Sequence, residues 1–508
     1  MKPIYYFILS LLLLIFVYWL TFIDKIGLHA DEAWMGIDGI GILNNGITKP
    51  YGITNYTGIL QSLVDSVVFK FFGIGIISLR LGGIISNIFG LGILVWFLIK
   101  RVNLFTGLFF LLLIAQSTLF LCYSKIAWEV CSFSLLFVSI SIVTLYKSSS
   151  AKWLVKYIVH FVFLLTAFLG MYNHIIFSSF LMAIFIGLLM WQIFGEMEPN
   201  SYTLNGLSLT FLGLFNAMVH YVIMNSFITG LWEEFGKLVF LLPLVLIAIE
   251  IFLVDKIASA FRLIIHFLSK ISWPKILSNG IPIVCLLAFL IIHAITLFQI
   301  LSQEIIFIRV FSYELNNFQK IYLWLIPMSI FIYAGYHLIK DLRQKSQLPY
   351  TYILIAYMGV LCIYTQGISI RYFIILTLLL FLYISFKLSF EQIKVRNFFI
   401  IGLVINVIFI QAMLWDINLD NDRKVSATTF DIKFRAETSA HFLNFSPVLK
   451  FIHQNEIGEL ETPDPYFIGY LFKFYKYEDK RIEKYPNTMK IEYDYESLGS
   501  GYKMIKLW

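Results

Sequence analysis

Charged residues are scarce in this chain. Asp, Glu, Lys and Arg together make up 14% of its 508 residues, whereas a soluble globular protein carries about 25%. Hydrophobic residues make up 59% of the chain, and the mean hydropathy is +0.81. This composition excludes a soluble enzyme.

Cysteine is also rare. The four copies are Cys122, Cys131, Cys285 and Cys362. They lie within or at the edges of apolar segments, and their spacing matches neither a zinc site nor a disulfide framework. We therefore expect no structural metal and no redox chemistry. Asp31, Glu32 and Asp38 offer oxygen ligands to a divalent cation, but we expect a reaction that uses neither a metal nor a cofactor.

Long apolar runs dominate the rest of the chain. Each has roughly the 17 to 25 residues that an α-helix needs to cross about 30 Å of hydrocarbon. We predict about thirteen spans, at 4–23, 76–99, 104–122, 127–146, 153–171, 174–194, 204–228, 238–254, 281–301, 321–339, 350–366, 372–390 and 397–415. The first run is longer than a signal-peptide core and has no small-residue cleavage site after it, so we interpret it as a retained anchor.

The net charge of +7 predicts orientation rather than a nucleic-acid partner. If the N-terminus is cytoplasmic, nearly every basic loop falls on the cytoplasmic side, as the positive-inside rule requires. This pattern indicates an odd number of crossings, a multi-pass protein of the inner (plasma) membrane, and an extracytoplasmic C-terminus. Residues 416–508 are rich in Asp, Glu, Lys and Tyr. They predict a small α+β soluble domain, with a helix at 438–453 and strands at 489–495 and 502–508, after a membrane domain at 1–415.

The first outer loop, residues 24–75, carries acidic side chains just beyond the anchor. Asp31 and Glu32 are expected near the outer membrane surface, where a carboxylate loses part of its hydration and becomes a better proton acceptor. The alternative is that both residues mark the water-facing end of a loop. At 56–72 the apolar residues recur at helical spacing with Gln61, Asp65 and Lys70 between them, which predicts an interfacial helix on the outer leaflet. The loop and this helix would form a roof over a cavity that opens to lipid.

Several segments, in this order, carry a family resemblance. They are Tyr51–Gly58 (YGITNYTG), Phe72–Leu81 (FGIGIISLRL), Tyr123–Glu129 (YSKIAWE), Met171–His174 (MYNH) and Arg371–Phe373 (RYF). Together with the acidic loop, they resemble the GT-C membrane glycosyltransferases, in particular the bacterial branch related to protein O-mannosyltransferases and the lipid A aminoarabinose transferase. The resemblance implies an all-α polytopic membrane fold of GT-C type. It also implies a hexosyl or pentosyl transferase of the cell envelope, acting in glycan, lipopolysaccharide or protein glycosylation, whose donor is a sugar on a polyprenyl phosphate or diphosphate.

The resemblance also implies roles for individual residues. Asp31 matches the catalytic base, Glu32 could share that role, and Glu129 matches a second acid facing the same cavity. Arg371, Lys125, Arg80 and His174 are the expected donor phosphate ligands, since cations stabilise a departing phosphate. For Arg80 and Lys125 a structural pairing with Asp65 or Glu129 is the alternative, for Arg371 an interfacial arginine that reaches the headgroups, and for His174 a locally satisfied imidazole.

The expected substrate-binding residues are aromatic. They are Trp34, Tyr56 and Tyr372. Trp128 and Tyr172 could also stack on sugar or polyprenyl groups, and for these two, as for Trp34 and Tyr56, the aromatic belt at the membrane interface is the alternative. Direct displacement by an acceptor hydroxyl predicts inversion at the anomeric carbon. The expected partners are the polyprenyl-linked donor, a glycan, lipid or protein acceptor, and membrane lipids, with no nucleic acid. A flippase or transporter would show broken, charged helices and repeated halves. An O-antigen polymerase or ligase would carry its large outer loop between late spans.

Overall fold

The computed structural model describes residues 2–24, 28–54, 56–149, 152–194, 200–270, 275–302, 307, 315–344, 348–363, 370–419, 445–462, 467–493 and 502–507. Its α-helices are α1 (Lys2–Thr21), α2 (Ala30–Asn45), α3 (Leu60–Phe72), α4 (Ile76–Arg101), α5 (Leu104–Gln116), α6 (Thr118–Tyr123), α7 (Glu129–Ser132), α8 (Ser134–Lys147), α9 (Trp153–Asn173), α10 (Phe177–Phe194), α11 (Ser201–Asn225), α12 (Leu231–Phe235), α13 (Leu242–Lys270), α14 (Lys275–Ser302), α15 (Asn317–Arg343), α16 (Pro349–Leu361), α17 (Ile374–Ser389), α18 (Ile393–Leu419), α19 (Phe445–Asn455) and α20 (Phe467–Glu478). The strands are β1 (Ile457–Glu461), β2 (Asn487–Tyr493) and β3 (Tyr502–Leu507).

The expected polytopic helical architecture is confirmed. Within the described residues, ten helical segments are long and apolar enough to cross a membrane: α1, α4, α9, α10, α11, α13 with the turns before it, α14, α15, α17 with the turn before it, and α18. Helices α5, α8 and α16 are apolar but only 13, 14 and 13 residues long. These ten segments and three shorter helices all lie where the sequence predicts membrane spans. How many of them cross the membrane stays a prediction.

Small residues let several of these helices approach closely. A Cβ on Gly187 of α10 would lie 2.5 Å from the Cα of Ile353 on α16, and one on Gly90 of α4 would lie 2.7 Å from the backbone nitrogen of Leu136 on α8. Such close contact replaces the hydrophobic driving force that helices lack within lipid. Polar groups also bridge helices: Gln411 on α18 donates to the Ala115 carbonyl of α5 at 3.0 Å.

The first outer loop contains a helix that the sequence analysis did not predict. Helix α2 occupies Ala30–Asn45, and its N-terminus is capped by His29, whose Nδ1 accepts a hydrogen bond from the Asp31 backbone N–H at 3.0 Å. The carboxylate of Glu32 in turn accepts from the His29 N–H at 3.0 Å. This reciprocal arrangement is a capping box with histidine in the place of Ser or Thr. It fixes where α2 begins and therefore where Asp31 lies.

The predicted interfacial helix is α3, and its polar side is turned inward. The side chains of Gln61, Ser62 and Asp65 are fully buried against the protein, whereas Phe71 is 74% and Phe72 70% exposed. A surface helix of a soluble protein has the opposite arrangement. The apolar outer face is therefore suited to contact lipid, as an interfacial helix requires.

The C-terminal region forms an α+β unit. Strand β2 pairs with β1 in parallel and with β3 in antiparallel orientation, giving the order β1-β2-β3. The strands predicted at 489–495 and 502–508 correspond to β2 and β3. The helix predicted at 438–453 corresponds to α19, with 438–444 outside the described residues. Helix α18 ends at Leu419, slightly beyond the predicted boundary at 415, which stays a prediction.

Candidate active site

Asp31 lies in the first turn of α2, beside Arg371. Arg371 belongs to a 3₁₀ turn, Ile370–Phe373, directly before α17. Its Nη1 lies 3.3 Å from Oδ2 of Asp31, and the two side chains are 15% and 17% exposed. The carboxylate expected from the sequence as catalytic base and the guanidinium expected as phosphate ligand are therefore in contact at a partly accessible position.

Two aromatic rings enclose this ion pair. The guanidinium carbon of Arg371 lies 4.5 Å from the centre of the Trp128 ring, and the His29 ring meets Trp128 edge to face at 4.4 Å. Nδ1 of His29 lies 3.7 Å from Oδ2 of Asp31. We call these four residues, His29, Asp31, Trp128 and Arg371, the Asp31 cluster. Each contacts two others, so the carboxylate and the guanidinium are held in fixed relative positions.

Glu129 lies next to this cluster and is the first residue of the short helix α7, which follows Trp128. The pKa of its carboxyl is raised to about 7. Burial is the main cause, the positive charge of Arg371 opposes the rise, and the negative charge of Asp31 adds to it. The side chain is 6% exposed, and among the described residues no hydrogen-bond partner contacts its Oε2. The backbone carbonyl of Glu129 accepts from the Asn173 side chain, which ties α7 to the end of α9. Glu129 therefore offers an acceptor, or a proton, close to Asp31 and Arg371.

His174 follows α9 and lies between two tyrosines. Its ring is 5.5 Å from that of Tyr56 and 5.6 Å from that of Tyr372, and its Nδ1 accepts from the Ile176 N–H at 3.1 Å. Burial, together with the nearby Arg371 and His220, lowers the pKa of His174 to about 3. At neutral pH the imidazole is thus uncharged, with its proton on Nε2. It can donate one hydrogen bond to a ligand but supplies no positive charge.

Glu32 and Arg80 form a buried ion pair. Nε of Arg80 donates to Oε1 of Glu32 at 2.9 Å and Nη2 donates to Oε2 at 2.7 Å, while Nη1 donates to the Ile23 carbonyl at 2.7 Å. Glu32 also accepts from the Ala127 N–H at 2.7 Å, and both side chains are fully buried. This pair joins α1, α2, α4 and the turn before α7. The role of Glu32 as a base and that of Arg80 as a phosphate ligand stay predictions. From the contacts of this buried pair, we propose that its role is structural.

Lys125 lies against α1. Its Nζ donates to the Phe22 carbonyl at 2.8 Å and lies 4.7 Å from the centre of the Tyr18 ring. The side chain is fully buried, and burial lowers its pKa to about 7. The contact resembles the structural alternative considered for this residue, although the partner is a carbonyl rather than Asp65 or Glu129. Its role as a phosphate ligand stays a prediction.

The three aromatic residues expected to bind substrate separate into two places. Tyr56, which is 42% exposed, and Tyr372 flank His174, and Tyr372 also lies 5.4 Å from the Arg371 guanidinium. Trp34, one turn beyond Asp31 on α2, instead lies under Lys49 at 4.3 Å. Lys49 in turn lies 3.8 Å from Asp38. The Tyr56–His174–Tyr372 row therefore leads to the Asp31 cluster, and Trp34 belongs to a neighbouring group.

Sequence reasoning missed two residues of the site. His29 was not assigned a role, although a polar residue followed three positions later by Glu is a recognisable helix start. Asn173, which connects the end of α9 to Glu129, lies within the MYNH segment but was not singled out. Among the described residues, no group of three or more His, Cys, Asp or Glu side chains is arranged to hold a metal ion.

No family model and no curated protein sequence matches this chain. Among solved structures, it is similar to an oligosaccharyltransferase of Archaeoglobus fulgidus in complex with zinc and sulfate (TM-score 0.48, 15% identity, 80% of this chain and 52% of the other). It is also similar to AglB of the same organism with an inhibitory peptide and a dolichol-phosphate (TM-score 0.48, 13% identity, 95% and 60%). A third is ArnT of Cupriavidus metallidurans bound to undecaprenyl phosphate (TM-score 0.34, 10% identity, 75% and 78%). The chain thus spans little more than half the length of the oligosaccharyltransferases.

Proposed function

We propose that this chain is an inverting glycosyltransferase. It moves a sugar from a polyprenyl phosphate or diphosphate to the hydroxyl of a glycan, lipid or protein acceptor, on the outer face of the membrane. The observation that carries the proposal is the contact of Asp31 with Arg371, with Glu129 beside them. This contact supports the proposal because a carboxylate suited to accept a proton and a guanidinium suited to bind phosphate lie within one small, partly accessible cluster.

The reaction needs few groups. The acceptor oxygen attacks the anomeric carbon and loses its proton to the Asp31 carboxylate. The bond between the anomeric carbon and the phosphate oxygen breaks, and its electron pair leaves with the phosphate. Arg371 stabilises that developing charge, and a guanidinium suits this task because its fork matches phosphate geometry. Because attack and departure occur on opposite faces of the sugar, the product has the inverted configuration.

The contact between Asp31 and Arg371 also suggests an order of events. The donor phosphate, whose single negative charge is shared by two oxygens, matches the guanidinium fork as the carboxylate does and competes with Asp31 for Arg371. As the donor binds, Arg371 turns toward the phosphate and Asp31 becomes available to the acceptor hydroxyl. Base activity would then depend on donor binding, which limits wasteful hydrolysis. Trp128, against which Arg371 is stacked, provides a fixed surface for this small movement.

Asp31→Asn tests the base assignment. The amide keeps the size and a hydrogen-bond acceptor but cannot take the proton, so we expect the transfer rate to fall by roughly 10² to 10⁴, the usual contribution of a general base. Asp24→Asn, an exposed acid in the same loop, is the matched control and should retain activity. The assay uses proteoliposomes with radiolabelled lipid-linked sugars and measures sugar release from the lipid. Wild-type activity in Asp31→Asn, or lipid-linked sugar that crosses the bilayer uncleaved, would contradict the proposal and favour a flippase.

A further inference from the structure

The C-terminal unit packs directly on the helix that carries Asp31. One buried apolar cluster contains Ala33 and Ile40 of α2 together with Ile468 and Phe474 of α20. The same cluster includes Leu79 of α4 and Ala127, the residue before Trp128. The hydrophobic core of the C-terminal unit is therefore continuous with the support of the Asp31 cluster.

Helix α2 has two distinct faces. Ala33, Gly36, Ile37 and Ile40 recur at three- and four-residue spacing and form the side that meets α20. With about 100° of rotation per residue, Asp31 lies on the opposite side of the helix. Any displacement of α2 on its α20 face is therefore transmitted to Asp31, because the helix between the two faces moves as a rigid body.

The closest point of this contact is Gly36. A Cβ placed there would lie 2.4 Å from Cε2 and 2.8 Å from Cδ2 of Phe474. The Phe474 ring is fully buried and fills the space that the missing side chain leaves. A second contact fixes α4, since Oε1 of Glu478, at the end of α20, accepts from the Ile76 N–H at 3.1 Å. Helix α20 thus touches both α2 and α4, the helices that carry Asp31 and Arg80.

We infer that Phe474 of the C-terminal unit is a positioning residue, which seats on Gly36 and sets the distance between Asp31 and Arg371. This inference rests on the proposed function for its catalytic consequence, but the coupling itself is structural. The C-terminal unit is then part of the active-site support rather than an independent module. Phe474 touches no reacting atom and acts only through α2.

Gly36→Ala tests the inference in the full-length protein in nanodiscs. The added methyl must push Phe474 and α2 apart, so we expect the turnover number to fall about tenfold or more, because small misplacements of a catalytic group are costly, with little change in the KM for the donor. Phe474→Leu, placed in the Gly36→Ala background, makes room for the methyl and should restore most of the turnover. Gly41→Ala is the matched control on the same helix, since nothing lies within 4 Å of its Cβ position.

A second measurement keeps the inference independent of enzyme activity. Amide hydrogen exchange of residues 30–45 should rise in Gly36→Ala, return in the double variant, and stay at the wild-type level in Gly41→Ala. If the wild type transfers no sugar, the proposed function fails while this exchange pattern still decides the coupling. Equal turnover and equal exchange in Gly36→Ala and Gly41→Ala would overturn the inference. It would also be overturned if Phe474→Leu did not restore the turnover and the exchange of Gly36→Ala.

Discussion

Asp31 and Arg371 are separated by 340 positions in the sequence, yet a carboxylate oxygen of one lies 3.3 Å from a guanidinium nitrogen of the other. The contact joins the loop after the first helix to the turn before α17. It brings the first acidic motif of the chain to a basic motif near the end of the membrane region. The proposed chemistry depends on this contact, because neither motif alone contains both a proton acceptor and a phosphate ligand.

Arg371 should dominate the binding of a lipid phosphate. Arg371→Ala removes a charged hydrogen-bond donor, for which a loss of about 1.5–3 kcal/mol is typical, so we expect undecaprenyl phosphate to bind about 10- to 100-fold more weakly. Undecaprenyl phosphate is a suitable probe because it carries no sugar and so isolates the phosphate contact. Binding is measured by titration of undecaprenyl phosphate into protein in nanodiscs, following the heat of binding. Arg262→Ala, an exposed arginine on α13, is the control, and unchanged affinity in Arg371→Ala would remove the assignment.

Glu129 should make the stability of the protein depend on pH. Its pKa is about 7 in the folded state and 4.5 as the ordinary value, so the folded protein holds this proton more tightly than the unfolded protein does. The stabilising contribution of the group is therefore greatest below pH 4.5 and is lost as the pH rises toward 7. Glu129→Gln keeps a neutral side chain throughout. The Tm of Glu129→Gln minus that of the wild type should increase across this pH range, and a flat difference would contradict the assignment.

The Glu32–Arg80 pair should matter for folding rather than for turnover. Glu32→Gln leaves the Arg80 charge buried and uncompensated, which typically lowers the free energy of unfolding by about 3–5 kcal/mol. Combining it with Arg80→Met removes both charges and should recover part of that loss. Glu483→Gln, which breaks the exposed pair with Lys480, should change the Tm little. A Glu32→Gln protein that is stable but inactive would instead support the catalytic role expected from the sequence.

The predicted sidedness can be measured directly. A short tag placed after Trp508 should react with an impermeant reagent in intact spheroplasts, because an odd number of crossings puts the two termini on opposite sides. A tag before Met1 is the paired control and should react only after lysis. Protection of both tags would refute the odd count. Protection of the C-terminal tag alone would place the C-terminal unit, and with it the Asp31 cluster on the helix that it packs against, on the cytoplasmic side.

The sequence was informative where the determining property is local. Membrane-length apolar runs predict helices because burial in lipid requires a continuous hydrophobic stretch, and every predicted span contains a helix. Helix α2 was missed because it is glycine-rich and only partly apolar. Its helical character follows from packing on α20 and α3 rather than from its own composition.

The ion-pair partner of each charged residue was harder to predict from the sequence than whether that residue lies near the site. Arg371 was expected to bind the donor phosphate or to reach the headgroups, and in the structure its guanidinium contacts Asp31. Arg80 was considered as a partner of Asp65, but Glu32 takes that place. Sequence alone does not tell which carboxylate pairs with a given arginine, because the pairing depends on which carboxylate the helix packing turns inward.

Helix α3 has its polar side buried and its apolar side exposed, and this orientation bears on how a substrate reaches the site. Phe71 and Phe72 point away from the protein, and we propose that this helix lies at the boundary between acyl chains and headgroups, with the neighbouring Asp31 cluster at the same depth. A lipid-linked sugar carries its phosphate at that level already. On the proposed function, the donor would diffuse sideways within the leaflet and present its phosphate to Arg371 while its isoprenoid tail stays among the lipids.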